Sequence, residues 1–187
     1  MTRRTILAAF TLLVGLLALP ARAATTSEHC SFWLEPTAIV NGLIETTPVL
    51  LGCYETYADA ISAGSGGAIE LEASATPAST SDADMQASGV TAMASVAIGT
   101  EYNLTGYGGS SNTYFASSTC SSSTRWEVAY VGDSWNDFFE SGKGFGGCDR
   151  NRKFKASQFG GDSILCTPNC STYGALNNEV SSLRWRN

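Results

Sequence analysis

One spacing occurs twice in this chain and limits how it can fold. Tyr102, Tyr107 and Gly109 stand in the order aromatic, four residues, aromatic, one residue, glycine, and Phe154, Phe159 and Gly161 repeat it. Each element is followed by a polar loop: Asn136-Asp137-Phe138-Phe139-Glu140-Ser141 after the first, Asn177-Asn178-Glu179-Val180-Ser181-Ser182 after the second. A supersecondary unit used twice is the simplest reading of such a repeat. From Val96 onward short strand-like runs alternate with Gly, Ser and Asn turns, as in an all-β sandwich. Hairpin, loop, hairpin, loop is the order of two Greek keys packed together. The aromatics would brace each folded hairpin. The glycine would take a backbone conformation closed to other residues.

The loops carry the candidate chemistry. Amide, carboxylate and hydroxyl oxygens crowded into six residues suit a hard cation such as Ca²⁺, which takes roughly six to eight oxygen ligands. The same residues also make ordinary Asx and Ser/Thr turns. Two copies with one polar order favour the ion site. Leu183 and Trp185 follow at period two, so the second loop runs into a half-buried strand.

The double pattern resembles the βγ-crystallin superfamily, whose Greek keys open with an aromatic-x₄-aromatic-x-glycine hairpin. Its calcium-binding members carry Asn/Asp-Asn/Asp-x-x-Ser/Thr-Ser in each key. The second loop matches every position; the first departs at the fifth, where Glu140 replaces Ser or Thr. The resemblance covers about residues 97–187. It implies a mainly β, βγ-crystallin-like sandwich of two Greek keys over 96–187. Residues 24–95 then form a small N-terminal accessory region and linker containing one short helix. It also implies two calcium sites, each joining the loop of one key to a hairpin carbonyl of the other. One site would combine Asn136, Asp137, Phe138, Glu140 and Ser141 with the carbonyl near Lys155. The other would combine Asn177, Asn178, Glu179, Ser181 and Ser182 with the carbonyl near Asn103. Glu140 would either replace the hydroxyl ligand and add charge, or crowd the ion out. Few carboxylates imply weak binding, roughly 10⁻⁵ to 10⁻³ M.

Arg3 and Arg4, an apolar run from Ile6 to Leu19 and Ala21-Arg22-Ala23 read as a signal peptide over residues 1–23, so the protein is expected to be secreted. Beyond it, eight basic residues face seventeen acidic ones, a formal charge of −9, and no Lys or Arg lies between Ala24 and Thr124. Such a chain lacks the broad basic face of a nucleic-acid or anionic-membrane binder. No later stretch is long and apolar enough for stable membrane insertion. The basic run from Arg150 to Lys155 reads as a solvated strand and turn.

Six cysteines in an exported chain read as three disulfides, for which fifteen pairings exist. Cys30–Cys53, Cys120–Cys148 and Cys166–Cys170 are favoured because each stays within one structural unit. Zinc is the rival, but paired C-x-x-C motifs are absent and His29 is the lone histidine.

Before residue 96, Ser31–Leu34 and Val49–Cys53 read as short strands, Tyr54–Ala63 as a helix stopped by the Gly64–Gly67 run, and Ala68–Leu71 as another strand. Thr76–Ser88 reads as a linker or mobile loop. No catalytic residues are assigned. His29 has no partner marked by spacing, no carboxylate pair is set out as acid and base, and no G-x-S-x-G elbow occurs. Trp126, Trp135 and Trp185 read as core. A calcium-binding structural or stabilising module is the leading expectation. The alternatives are a secreted metalloproteinase inhibitor, presenting Cys166–Cys170 as a rigid loop to an extracellular protease, and a killer-toxin-like interaction protein.

Overall fold

The computed structural model describes residues 28–86 and 95–187. The expected signal segment, residues 1–23, lies outside the described residues, as do residues 87 and 88 of the expected linker. Among the described residues nine strands form one hydrogen-bonded sheet. They are β1 (His29–Val40), β2 (Leu43–Tyr54), β3 (Val96–Leu104), β4 (Gly108–Ala116), β5 (Arg125–Val128), β6 (Ser141–Gly144), β7 (Arg150–Phe154), β8 (Ser163–Cys166) and β9 (Ser182–Arg186). The spatial order is β6-β3-β4-β1-β2-β5-β9-β7-β8.

The sheet curls onto itself like a barrel. Tyr114 on β4 and Trp185 on β9 stand four places apart in the sheet, yet their rings lie 5.0 Å apart. At the seam, Gly142 on the edge strand β6 bridges to Cys170, just past the opposite edge strand β8. The interior holds Phe32, Leu34, Tyr114, Trp126, Phe139, Leu183 and Trp185. Trp135, expected in this core, is partly buried and stacks on Phe139 at 6.1 Å. β3 to β6 form one Greek key, with β5 swapped into the half of the sheet that holds β7, β8 and β9.

The strands before residue 96 do more than cap this unit. Asn41 and Gly42 both take positive φ, 52° and 76°, which is the two-residue turn that matches strand twist. The turn joins two twelve-residue strands, far longer than the short runs expected at Ser31–Leu34 and Val49–Cys53. β1 pairs in parallel with β4, and β2 pairs in parallel with β5. The hairpin therefore closes the gap between the two halves of the sandwich, its outward segments supporting the one α-helix among the described residues.

That helix, α1 (Tyr57–Ser65), starts three residues later than expected. Thr56 caps it, its hydroxyl accepting the Asp59 amide at 3.1 Å. Gly66 at φ 67° ends it with the left-handed cap. Tyr57 and Ile61 pack with Phe115, Phe145 and Met85 in a second core outside the sheet. Ala68–Leu71 forms no strand; Ile69 is drawn into this second core and its amide is taken by the Ser65 hydroxyl. The turns after Thr76 are held by Lys143, whose ammonium donates to the carbonyls of Pro77, Ala78 and Thr80.

All three expected disulfides are formed. Cys30 and Cys53 are directly opposed on β1 and β2. The bonds indicate an oxidising environment. Among the described residues no helix is long and apolar enough to cross a membrane.

Candidate functional site: two reciprocal loops

Each repeated hairpin folds back on itself. Tyr102 and Tyr107 meet edge to face at 5.8 Å, and Phe154 and Phe159 do so at 5.6 Å. Gly109 and Gly161 both take φ 72°. The last serine of each loop locks the hairpin of its own key. Ser141 donates to the Leu104 carbonyl at 2.6 Å and accepts the Tyr107 amide at 3.1 Å. Ser182 donates to the Ala156 carbonyl at 2.8 Å and accepts the Phe159 amide at 3.1 Å. A cation stacks on each hairpin two residues further on: Lys143 over Tyr107 at 4.7 Å, Arg184 over Phe159 at 4.7 Å.

The two loops are bonded to each other about a pseudo-twofold axis. The Asp137 amide donates to the Val180 carbonyl at 3.2 Å, and the Asn178 amide donates to the Phe139 carbonyl at 2.9 Å. Asp137 and Asn178 both hold positive φ, 59° and 56°, a conformation that Asn and Asp tolerate better than most residues. This crossing brings the second residue of the second loop to the fifth of the first. The Asn178 amide donates to the Glu140 carboxylate at 2.7 Å, and the other Glu140 oxygen accepts the Thr105 amide at 3.2 Å.

The expected pairing of loops with hairpins is corrected here. Ser181 donates to the Lys155 carbonyl at 2.8 Å, so the second loop meets the second hairpin, not Asn103. The first loop meets the first hairpin through Glu140 and Ser141, not Lys155. The reason is strand pairing: β6 runs beside β3 and β9 beside β7, so each loop leads into a strand next to its own hairpin. Contact between keys comes instead from Asp137 and Asn178.

The predicted residues therefore separate by what they hold. Ser141 and Ser182 are engaged in the hairpins. Asn177 accepts the Tyr173 amide at 2.9 Å and the Thr172 hydroxyl at 3.2 Å, bracing a turn. The Asn103 side chain accepts the Ser110 amide at 2.7 Å. Asn136 donates to Asp137 at 2.8 Å, while its buried Oδ1 has no hydrogen-bond partner. Among the described residues, the Phe138 and Glu179 carbonyls accept no hydrogen bond. An orphaned amide oxygen, a free carbonyl and a carboxylate in one loop are a donor set that fits a hard cation.

Sequence reasoning missed the ammonium of Lys155. It pairs with Glu179 at 2.8 Å, and the hydrogen bond and charge of that carboxylate raise the lysine above its ordinary value. The mark of this role is the residue itself: a lysine in the hairpin position that Asn103 fills in the first key. The run from Arg150 to Lys155 is also not simply a solvated strand, because Asn151 and Lys153 alternate inward and are wholly buried.

His29 is buried, its ring 2.9 Å from the Ser111 hydroxyl and edge-on to Tyr57 at 5.6 Å. Burial lowers its pKa below the ordinary value. The Cys166–Cys170 loop exposes Thr167 and Asn169, but is tied down: the Asn169 side chain accepts the Gly144 amide at 3.2 Å, and Asn151 donates to the Pro168 carbonyl at 2.5 Å.

Two Greek keys, each with a folded aromatic hairpin locked by the last serine of a polar loop, define a βγ-crystallin-like fold. Solved structures similar to this chain include the following. An archaeal βγ-crystallin is 24% identical and matches over 48% of this chain and 96% of its own, with a TM-score of 0.35. The N-terminal domain of protein S is 22% identical over 48% of this chain and 94% of its own, with a TM-score of 0.38. A βγ-crystallin from Ciona intestinalis is 19% identical over 46% and 94%, with a TM-score of 0.35. No family profile and no curated protein sequence matches the chain.

Proposed function

We propose that this protein is a secreted, disulfide-stabilised calcium-binding module whose bound ion stabilises the paired loops. The observation that carries the reading is the meeting of Glu140 and Asn178 across the two keys, 2.7 Å apart, beside the free Phe138 carbonyl. Glu140, the Phe138 carbonyl, the Asn136 oxygen and Asn178 would hold an ion in the first loop. Rotating the Asn178 amide by a half-turn presents oxygen in place of nitrogen. Ser181, the Glu179 and Lys155 carbonyls and Asp137 are the corresponding groups of the second loop. Glu140 then acts as a ligand in place of a hydroxyl, adding the charge that an all-neutral loop lacks. The ion would supply positive charge between two strand-connecting loops that otherwise hold each other through two backbone bonds and one amide–carboxylate bond.

Export is supported by the amino-terminal sequence pattern and by the three disulfides. Mass spectrometry of the protein recovered from the medium tests it, with a start at Ala24 as the expected result.

Thermal unfolding in EDTA, millimolar Mg²⁺ and millimolar Ca²⁺ tests the ion. Binding to the folded state alone at a hundred times Kd, which millimolar Ca²⁺ reaches for a Kd of about 10⁻⁵ M, adds about 2.7 kcal/mol. For a chain of this size that is a rise of roughly 5–10 °C. Glu140→Ala should remove most of it. An equal melting temperature in EDTA and Ca²⁺ would leave the loops as turns only.

A further inference from the structure

The two loops face different electrostatic surroundings. In the second, one residue places both its ends in the loop: the Lys155 carbonyl accepts the Ser181 hydroxyl at 2.8 Å, and its ammonium lies 2.8 Å from the Glu179 carboxylate. Asp137 and Asp162 add further negative charge around that ammonium. In the first loop the equivalent hairpin residue is Asn103, which is neutral and turned toward the Ser110 amide. Among the described residues Glu140 forms no ion pair, and its oxygens meet only the Asn178 and Thr105 N–H groups. Lys143, the nearest basic residue in sequence, is spent on the carbonyls of Pro77, Ala78 and Thr80.

We propose that Lys155 is the resident cation of the second loop, so that the protein takes a single calcium ion, in the first loop, at concentrations where the second stays closed by its own lysine. This inference rests on the calcium reading of the first loop. A dication held by the Glu179 and Lys155 carbonyls would sit beside the Lys155 ammonium, a like charge. The pair is half-exposed, with side chains 48% and 41% accessible, so the lysine weakens the second loop's affinity rather than abolishing it. Like-charge repulsion at this range through water amounts to roughly a tenfold penalty. A further consequence is that the second key is neutralised without any ion. The calcium-dependent part of the stability then belongs to the first key.

Isothermal titration of the full oxidised protein with Ca²⁺ tests this, alongside Lys155→Gln and the charge-preserving Lys155→Arg. Tb³⁺ luminescence under tryptophan excitation, less that of a Trp135→Phe control, reports on the first loop, where Trp135 is the neighbour of Asn136. One site is expected in the wild type and in Lys155→Arg, and two in Lys155→Gln, the added site tightened about tenfold. The Trp135-excited signal should be unchanged by Lys155→Gln. Two equal sites in the wild type, or one site in all three proteins, would overturn the role of Lys155 while leaving the calcium reading intact. No binding to the wild type with one site in Lys155→Gln would uphold Lys155 and overturn the first loop as a calcium site. No binding to any of them would overturn both.

Discussion

The ammonium of Lys153 on β7 pairs with the carboxylate of Glu101 on β3 where neither side chain reaches water, at 1% and 0% exposure. Tyr173 donates to the other Glu101 oxygen, and the lysine also lies 5.2 Å from the Trp185 ring centre. Gly142 makes the room: a Cβ there would stand 2.1 Å from the Tyr173 hydroxyl oxygen. The cluster joins the first key to the second through the core. Lys153→Met or Glu101→Gln alone should cost about 3–5 kcal/mol, because each strands a buried charge. Lys153→Met combined with Glu101→Gln should cost clearly less than the sum. Urea unfolding of the four proteins measures it; additive losses would show that the two charges do not interact.

The serines that lock the hairpins should matter to stability whatever the loops bind. Ser141→Ala and Ser182→Ala each remove a donor to a carbonyl and an acceptor for an amide. A loss of about 1–3 kcal/mol is expected for each. It should persist in EDTA, which separates it from any effect on ion binding.

Gly109 and Gly161 share a φ of 72° but not their surroundings. A Cβ on Gly109 would meet the Asn103 side-chain oxygen at 2.1 Å, whereas on Gly161 its nearest neighbour is the Lys155 Cβ at 3.4 Å. Gly161→Ala should therefore cost only the backbone penalty of about 1–2 kcal/mol. Gly109→Ala should cost more, because Asn103 must also surrender the Ser110 amide. Equal denaturation midpoints would refute the difference.

Alkaline pH should destabilise the fold through four of its seven tyrosines. Burial raises Tyr57, Tyr102, Tyr114 and Tyr173 above the ordinary value of 10.0. Above about pH 10 the unfolded chain has lost protons that the folded chain keeps, so stability falls as pH rises further. Burial of Lys153 acts in the opposite sense: its lowered pKa adds stability as pH rises toward 10.5. Phenolate absorbance and circular dichroism followed together should show these four tyrosines ionising only as the fold melts.

The Cys120–Cys148 bond closes a 28-residue span across the first key, the longest of the three. Replacing both cysteines with serine should cost about 2–4 kcal/mol. Removing Cys166–Cys170, which spans four residues, should cost less by the same loop-closure argument. Melting temperatures of the two double variants give the comparison.

Much of this was legible because the repeat is local. Aromatic spacing and positive-φ glycines are set within eight residues, so Tyr102–Gly109 and Phe154–Gly161 announce folded hairpins without knowledge of the rest. Asn41-Gly42 is an equally local hairpin signal, but the strands on either side carry Pro36, Pro48 and the apolar run Val49, Leu50 and Leu51, which blur the alternation. The turns after Thr76 look like a linker because their anchor, Lys143, lies more than sixty residues away.

The sequence by itself determined the two hairpins, the polar loops and the helix stop within the Gly64–Gly67 run, and it favoured one disulfide pairing among fifteen, all of which rest on short-range geometry or on partners within one unit. Only the tertiary structure decided what meets what. Lys153 and Glu101 are fifty-two residues apart, and nothing in either segment marks them as a buried pair. The meeting of Asn178 with Glu140, the engagement of each loop with its own hairpin and the insertion of β1 and β2 between the two halves of the sheet follow from strand order. That order is set by which long-range pairings bury the apolar faces together, a property of the whole chain and of no single motif.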